Sequence, residues 1–277
     1  MEGQLAQMVA LTCFGNAAIR GQRISDFFHD NSTCTFCEEI TFKAGLSSKD
    51  GEPLFTTIAV NPNQWIETLL RRGKLGFRLR QKTQNNPILP DSITAGVVGG
   101  PKWWSIEAIR TDSVSEFWIP KWEIGNRDAP DQKIWRVTYG LWEVSATSPA
   151  GLRSFEEISG DFRLALEQVR AFAEREHCGF IKHFDDALLA LNDTQADTSS
   201  FDDWIPPQML DPMAIAILKA ASRAWVFGGM GSWNDLGYDD KAVQNEYEDL
   251  TDRLYAIVND AIEAAASSSM PPLTVAG

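Results

Sequence analysis

Near residue 150 the hydrophobic period of this chain switches from mainly strand-like to helical, and that switch restricts its fold more than any other feature. Before it, short runs rich in β-branched and aromatic residues recur: "EEITFKAG", "PLFTTIAV", "KLGFRLRQK", "KWWSIEAIR", "SEFWIPKWEI" and "KIWRVTYGLWEV". Gly, Pro and Asn bound them, as they bound the strands of a half-buried sheet. "GNRDAPDQ" reads as a hairpin connection between the last two, and "VVGGP" as a turn ahead of the fourth. Two helices accompany them. One covers residues 3–20, with Leu5, Met8, Val9 and Phe14 at helical spacing and Gly21 as its stop; the other is "NPNQWIETLLRRG", with Asn61 capping, Pro62 in the first turn and Gly73 at the end.

After "TSPAG" (147–151) the period becomes helical. Phe155, Ile158, Phe162, Leu166, Val169 and Phe172 form one stripe, and Gly179 reads as the stop. "FIKHFDDALLAL" follows, then 192–208 with the composition of a linker or lid. A helix opened by Asp211 and Pro212 runs to about Phe227, ending at Gly228-Gly229, and a last helix covers about 240–266 ahead of a tail expected to fray. The predicted fold is α+β: an N-terminal mixed, largely antiparallel sheet unit with one or two helices (1–150), then an acidic helical bundle of about four helices (151–277).

Charge supports two surfaces of different character. Residues 1–150 carry 16 basic and 16 acidic side chains, and residues 151–277 carry 9 and 22, which is the whole formal charge of −13. An acidic half repels nucleic acid and anionic membrane and favours basic partners. No apolar run reaches the roughly 20 residues of a membrane span. Glu2 stands where a secretion signal would place Lys or Arg, and four cysteines without such a signal point to reduced thiols in a cytoplasm.

"AWVFGGMGSWNDLGY", 224–238, concentrates glycine among aromatics. A phosphate cradle needs a preceding strand and a lysine, and a dinucleotide loop needs a strand and another glycine spacing. Here a helix precedes and no lysine is present, so the stretch reads as a joint between helices. Gly228 or Gly229 ends the helix, Gly231 turns tightly, and Ser232, Asn234 and Asp235 bond free backbone ends. Trp233 is expected to fold against Trp225 and Phe227. These seven residues, Gly228, Gly229 and 231–235, are also a candidate binding loop. The order of helices with "FGGMGSWNDL" before the last, over about 153–265, resembles a group of small bacterial proteins marked by GGMGS, then an aromatic or Leu, then ND. That resemblance implies a helical fold and a bacterial source, and no activity. The 192–208 insertion and the N-terminal half depart from it.

Cys34 and Cys37 in "CTFC" have the spacing of half a zinc site or of a thiol redox pair. Only His177 and Cys178, brought in from the other half, would complete the metal set, and a redox pair normally precedes a helix, whereas a strand follows here. Packed small thiols are the favoured reading; no metal or cofactor is assigned. "RRGKLGFRLRQK", 71–82, carries six positive charges. As a strand it turns Leu75, Phe77 and Leu79 inward and Arg78, Arg80 and Lys82 to the other face, a strip suited to an anion, to nucleic acid or to the chain's own acidic half. The last is favoured. No Ser-His-Asp or Cys-His signature is present, and the adjacent Asp pairs diverge on a helix. The expected function is therefore a cytosolic binding protein with a basic partner, of the toxin-neutralising (immunity-like) or phage-defence accessory kind. The alternatives are an enzyme with a site between the halves near His177, His183 and 192–208, and a nucleic-acid or anion binder through 71–82.

Overall fold

The computed structural model describes residues 1, 3–22, 24, 27–46, 54–82, 103–110, 114–146, 153–193, 195–201, 203–228 and 231–272. The chain is α+β. Helix α1 (Gly3–Ile19) leads through a 3-10 turn (Ser32–Cys34) into β1 (Cys37–Leu46) and β2 (Leu54–Ala59). Helix α2 (Pro62–Arg71) and strands β3 (Lys74–Lys82), β4 (Trp103–Arg110), β5 (Val114–Ile124) and β6 (Trp135–Ala146) complete this part. Packed helices follow: α3 (Phe155–Arg175), α4 (Ile181–Leu191), α5 (Pro212–Arg223) and α6 (Lys241–Ser267). The "VVGGP" turn and the expected boundary at 147–151 lie outside the described residues, as do 273–277.

The six strands form one sheet in the order β2-β1-β6-β5-β4-β3, antiparallel throughout except for the parallel β1–β6 pair. Pro120 is tolerated in β5 because the β4–β5 pairing ends at Ile106 and Trp118, so Pro120 lies beyond the ladder on that side. One face of the sheet carries Phe42, Phe77, Trp118 and Tyr139, all fully buried. Trp65 of α2 reaches across them: its ring stacks on Phe42 at 4.5 Å and lies 5.5 Å from Phe77 and 5.7 Å from Trp118. Strands from both sides of the sheet thus converge on one helix. Asn61 caps that helix as its sequence predicts, its side chain accepting from Gln64 N.

Helix α1 is buried from Leu5 to Ala17 on every side, which its apolar stripe alone did not announce. It packs against β3, β4, α2 and α6. Such burial requires its polar side chains to be bonded. Thr12 donates to Met8 O at 2.8 Å. Asn16 forms a two-bond ring with Phe77, accepting from its N–H at 2.8 Å and donating to its carbonyl at 2.9 Å.

Three helix ends differ from expectation. Helix α3 stops at Arg175, and His177 rather than Gly179 makes the left-handed turn (φ 53°). Ser154 and Glu157 close its start as a capping box. Helix α5 ends at Arg223, with Ala224 as its cap, and not at Gly228-Gly229. The last helix runs to Ser267, and Ser267 and Ser269, expected to fray, are buried, the first bonding Leu79 of β3 and the second accepting from Asn16 of α1. Within 192–208, Phe201 and Ile205 are buried and pin the segment to the core.

Candidate functional site

Helix α6 is the spine on which the sequence-derived candidates can be located. At its N-terminal half sits the glycine loop. Gly228 (φ 150°) and Gly231 (φ 80°) occupy backbone that only glycine adopts readily; Gly229 lies outside the described residues. Ser232 accepts from Asn234 N at 3.3 Å and donates to Gly228 O at 3.0 Å. The Asp235 carboxylate accepts from the backbone N–H groups of Gly231 and Ser232, the second at 3.2 Å. Trp233 is fully buried. Its indole N–H donates to Thr251 Oγ1 at 2.7 Å, Thr251 donates to Tyr247 O, and the Tyr247 hydroxyl returns to Trp233 O at 2.7 Å. The ring packs against Phe172, Phe180, Phe184 and Tyr247, and not against Trp225 and Phe227 as expected. Those two instead meet each other and Tyr255. Most of the loop's polar groups therefore satisfy the loop itself.

At the other end of α6 lies the basic strand. Glu107 of β4, fully buried, faces Arg80 Nε at 2.8 Å and Arg78 Nε at 3.6 Å, and accepts from Ser115 Oγ at 2.6 Å. Arg80 also reaches Glu263 of α6 at 3.5 Å, and Lys74 pairs with Glu116 at 2.9 Å. Burial pulls the Arg78 pKa down against the pull of Glu107, and pushes that of Glu263 up. Gln81 donates to Asp260 at 2.7 Å. Three cations of the strip, Lys74, Arg78 and Arg80, are thus neutralised within the chain, one of them by the acidic helix. Lys82 pairs with Trp103 at the end of the β3–β4 ladder.

Thr251 and Glu263 are twelve residues apart on one helix, so loop and strip are separated by about 18 Å and do not form one site. A separate groove lies between α3 and α6, made of two cavities that share Gln168 and Arg253, and no described residue of 228–235 or 71–82 lines it. Its wider part, about 810 Å³, is lined by Glu246, Glu248, Asp249 and Asp252 with Arg175 and Arg253, over Phe172 and Leu250. Its narrower part, about 300 Å³, continues past Arg253 to Asp161, Asp260 and Arg153 beside exposed Leu164. Arg175 pairs with Glu246 at 2.8 Å, Arg253 with Asp249 at 3.4 Å, and Arg153 with Asp161 and Asp260. Six carboxylates face three guanidiniums, so the groove keeps an excess of negative charge. Glycines and basic runs stand out in the sequence more than these residues do. The signal was present: Glu246, Asp249, Arg253, Ala256 and Asp260 recur at spacings of three and four, one solvent-facing stripe of α6.

Cys34 and Cys37 are buried together, whereas Cys178 is half-buried at the end of α3, donating to Ala173 O. No three His, Cys, Asp or Glu side chains among the described residues gather in a way that could hold a metal. His177 and His183 are exposed, and neither lines the groove. Among the described residues no helix is long and apolar enough to cross a membrane. Comparison with protein-family models, with curated proteins and with solved structures returns no match.

Proposed function

We propose that this chain is a bacterial cytosolic interaction protein of the toxin-neutralising or phage-defence accessory kind, which holds a basic protein partner in the groove between α3 and α6. One observation carries the reading: the excess of carboxylates concentrated along a continuous groove with an apolar floor, on a chain whose net charge all lies beyond residue 150. Charge of this kind steers a basic partner and sets its orientation, while the floor supplies buried area. The three arginines standing among the acids are each held by ion pairs within the chain, so the groove's charge as a whole stays negative toward a partner's lysines. The rival use of 71–82 as an anion grip has less support, because Glu107, Glu116 and Glu263 already engage Lys74, Arg78 and Arg80.

The test is affinity capture from bacterial extract with the full chain and with a variant carrying Glu248→Lys and Asp252→Lys. A basic protein recovered in stoichiometric amount by the first and lost by the second supports the reading. Its yield falls as ionic strength rises, because exposed charges are screened beyond about 10 Å at 0.1 M salt. A partner recovered equally by both chains removes the groove from the proposal.

A further inference from the structure

Cys34 closes the 3-10 turn after α1 and Cys37 opens β1, and each is 1% exposed. Both sulfurs turn to one atom: Gln7 Nε2 lies 3.9 Å from Cys34 Sγ and 3.6 Å from Cys37 Sγ. Gln7 is itself fixed, donating to Thr33 O at 3.2 Å and accepting from the Tyr139 hydroxyl at 2.9 Å. Only Thr35 and Phe36 separate the thiols in sequence, and both are exposed, Phe36 by 52%. A two-residue bridge on the surface thus covers a buried dithiol. The same turn holds the segment between α4 and α5. The Trp204 indole N–H donates to Ser32 Oγ at 2.7 Å, and Asn31 and Ser32 both bond Asp203.

We propose that Cys34 and Cys37 are a redox pair that closes to an intrachain disulfide, and that closure loosens the seat of 203–205 on the 31–34 turn. The oxidant is a small-molecule disulfide. Lifting of the exposed Thr35–Phe36 bridge admits it, and Cys37, as thiolate, attacks one of its sulfurs, forming a mixed disulfide and releasing one thiolate. Cys34, as thiolate, then attacks Cys37 Sγ and expels the second. Two protein thiols lose two electrons, the small disulfide gains them, and the two protons end on the released thiols. Burial pushes the Cys34 thiol up to about 12 and the Cys37 thiol up to about 11, so both rest as neutral thiols at pH 7 and Cys37 ionises first. A disulfide needs its sulfurs about 2 Å apart. Drawing them together moves Cys34 relative to β1 and shifts Ser32 and Asn31, which precede it in the turn.

The test treats the folded full chain with oxidised glutathione, then unfolds it, alkylates the remaining thiols and maps peptides. The expected result is a peptide spanning 34–37 lighter by two hydrogens, with Cys13 and Cys178 alkylated. Cys34→Ser should instead leave glutathione on Cys37. Should that variant fail to fold, the wild-type map still decides. Full alkylation of Cys34 and Cys37, separate adducts on each, or a bridge to another cysteine overturns the pairing. Hydrogen exchange reads the second half: amides of 203–205 exchange faster in the oxidised chain, and unchanged exchange overturns the coupling.

Discussion

Trp233 shows how one side chain can organise a loop that looks designed for a ligand. The glycines on either side bring the chain back over α6, and the indole fills the space among Phe172, Phe180, Phe184 and Tyr247. Its N–H is matched by Thr251, itself 4% exposed. Two changes separate packing from bonding. Trp233→Ala removes a whole buried ring and should cost about 3–5 kcal/mol of stability. Thr251→Val keeps the volume but leaves the indole N–H without a partner, at about 1–3 kcal/mol. Urea midpoints at constant slope give both values. A Thr251→Val chain as stable as the wild type would show that the ring alone holds the joint. The sequence made the joint legible through its glycines and the capping set Ser232 and Asp235. The partners of Trp233 were not legible, because they come from α3, α4 and α6, up to 61 positions away, and no local pattern encodes which distant aromatic will be met.

At the scale of elements, strand positions followed from alternating patterns bounded by turn residues, and all six strands stand where those patterns place them. How the sheet protects its β3 edge did not follow. An edge strand exposes a row of unpaired N–H and C=O groups that invites another strand. Here two side chains act as the missing neighbour. Asn16 of α1 bonds both backbone groups of Phe77, and Ser267 of α6 bonds both of Leu79, at 3.0 Å each. Asn16 also donates to Ser269 Oγ at 2.7 Å, locking the two helices to one strand. A polar residue inside an apolar helix and a run of serines after a helix each read locally as noise, since their partners lie 61 and 188 residues away. Asn16→Ala and Ser267→Ala should each cost about 1–3 kcal/mol, through the desolvated groups left on β3. The double variant should also open the edge and self-associate at concentrations where wild type stays monodisperse in light scattering. A double variant that loses stability without associating would show that α1 and α6 shield the edge by bulk alone.

For the whole molecule, the change of period and of charge near 150 argues for two units, whereas the packing ties them. Ala261, Ile262, Ala265 and Ala266 of α6 are buried, α6 lies on β3 and α1, and one continuous core runs from Leu5 to Ala266. An ion pair and a hydrogen bond follow the same seam, Arg80 of β3 on Glu263 and Gln81 donating to Asp260. Each half alone would leave this apolar seam in water, at roughly 25 cal/mol for every Å² exposed. The halves are therefore expected to unfold together. Seven of the ten tryptophans lie before residue 150, so fluorescence reports mainly on the sheet, while far-UV circular dichroism is dominated by the helices. In urea the two signals should trace one curve, and a chain begun at residue 151 should remain only partly ordered, with a broad transition and exposed apolar surface. Separate midpoints for the two signals, together with a sharp transition in the isolated helical part, would instead establish two modules that merely touch. The seam would then be a docking contact, and α6 would owe its order to α3 and α5 rather than to the strand it lies on.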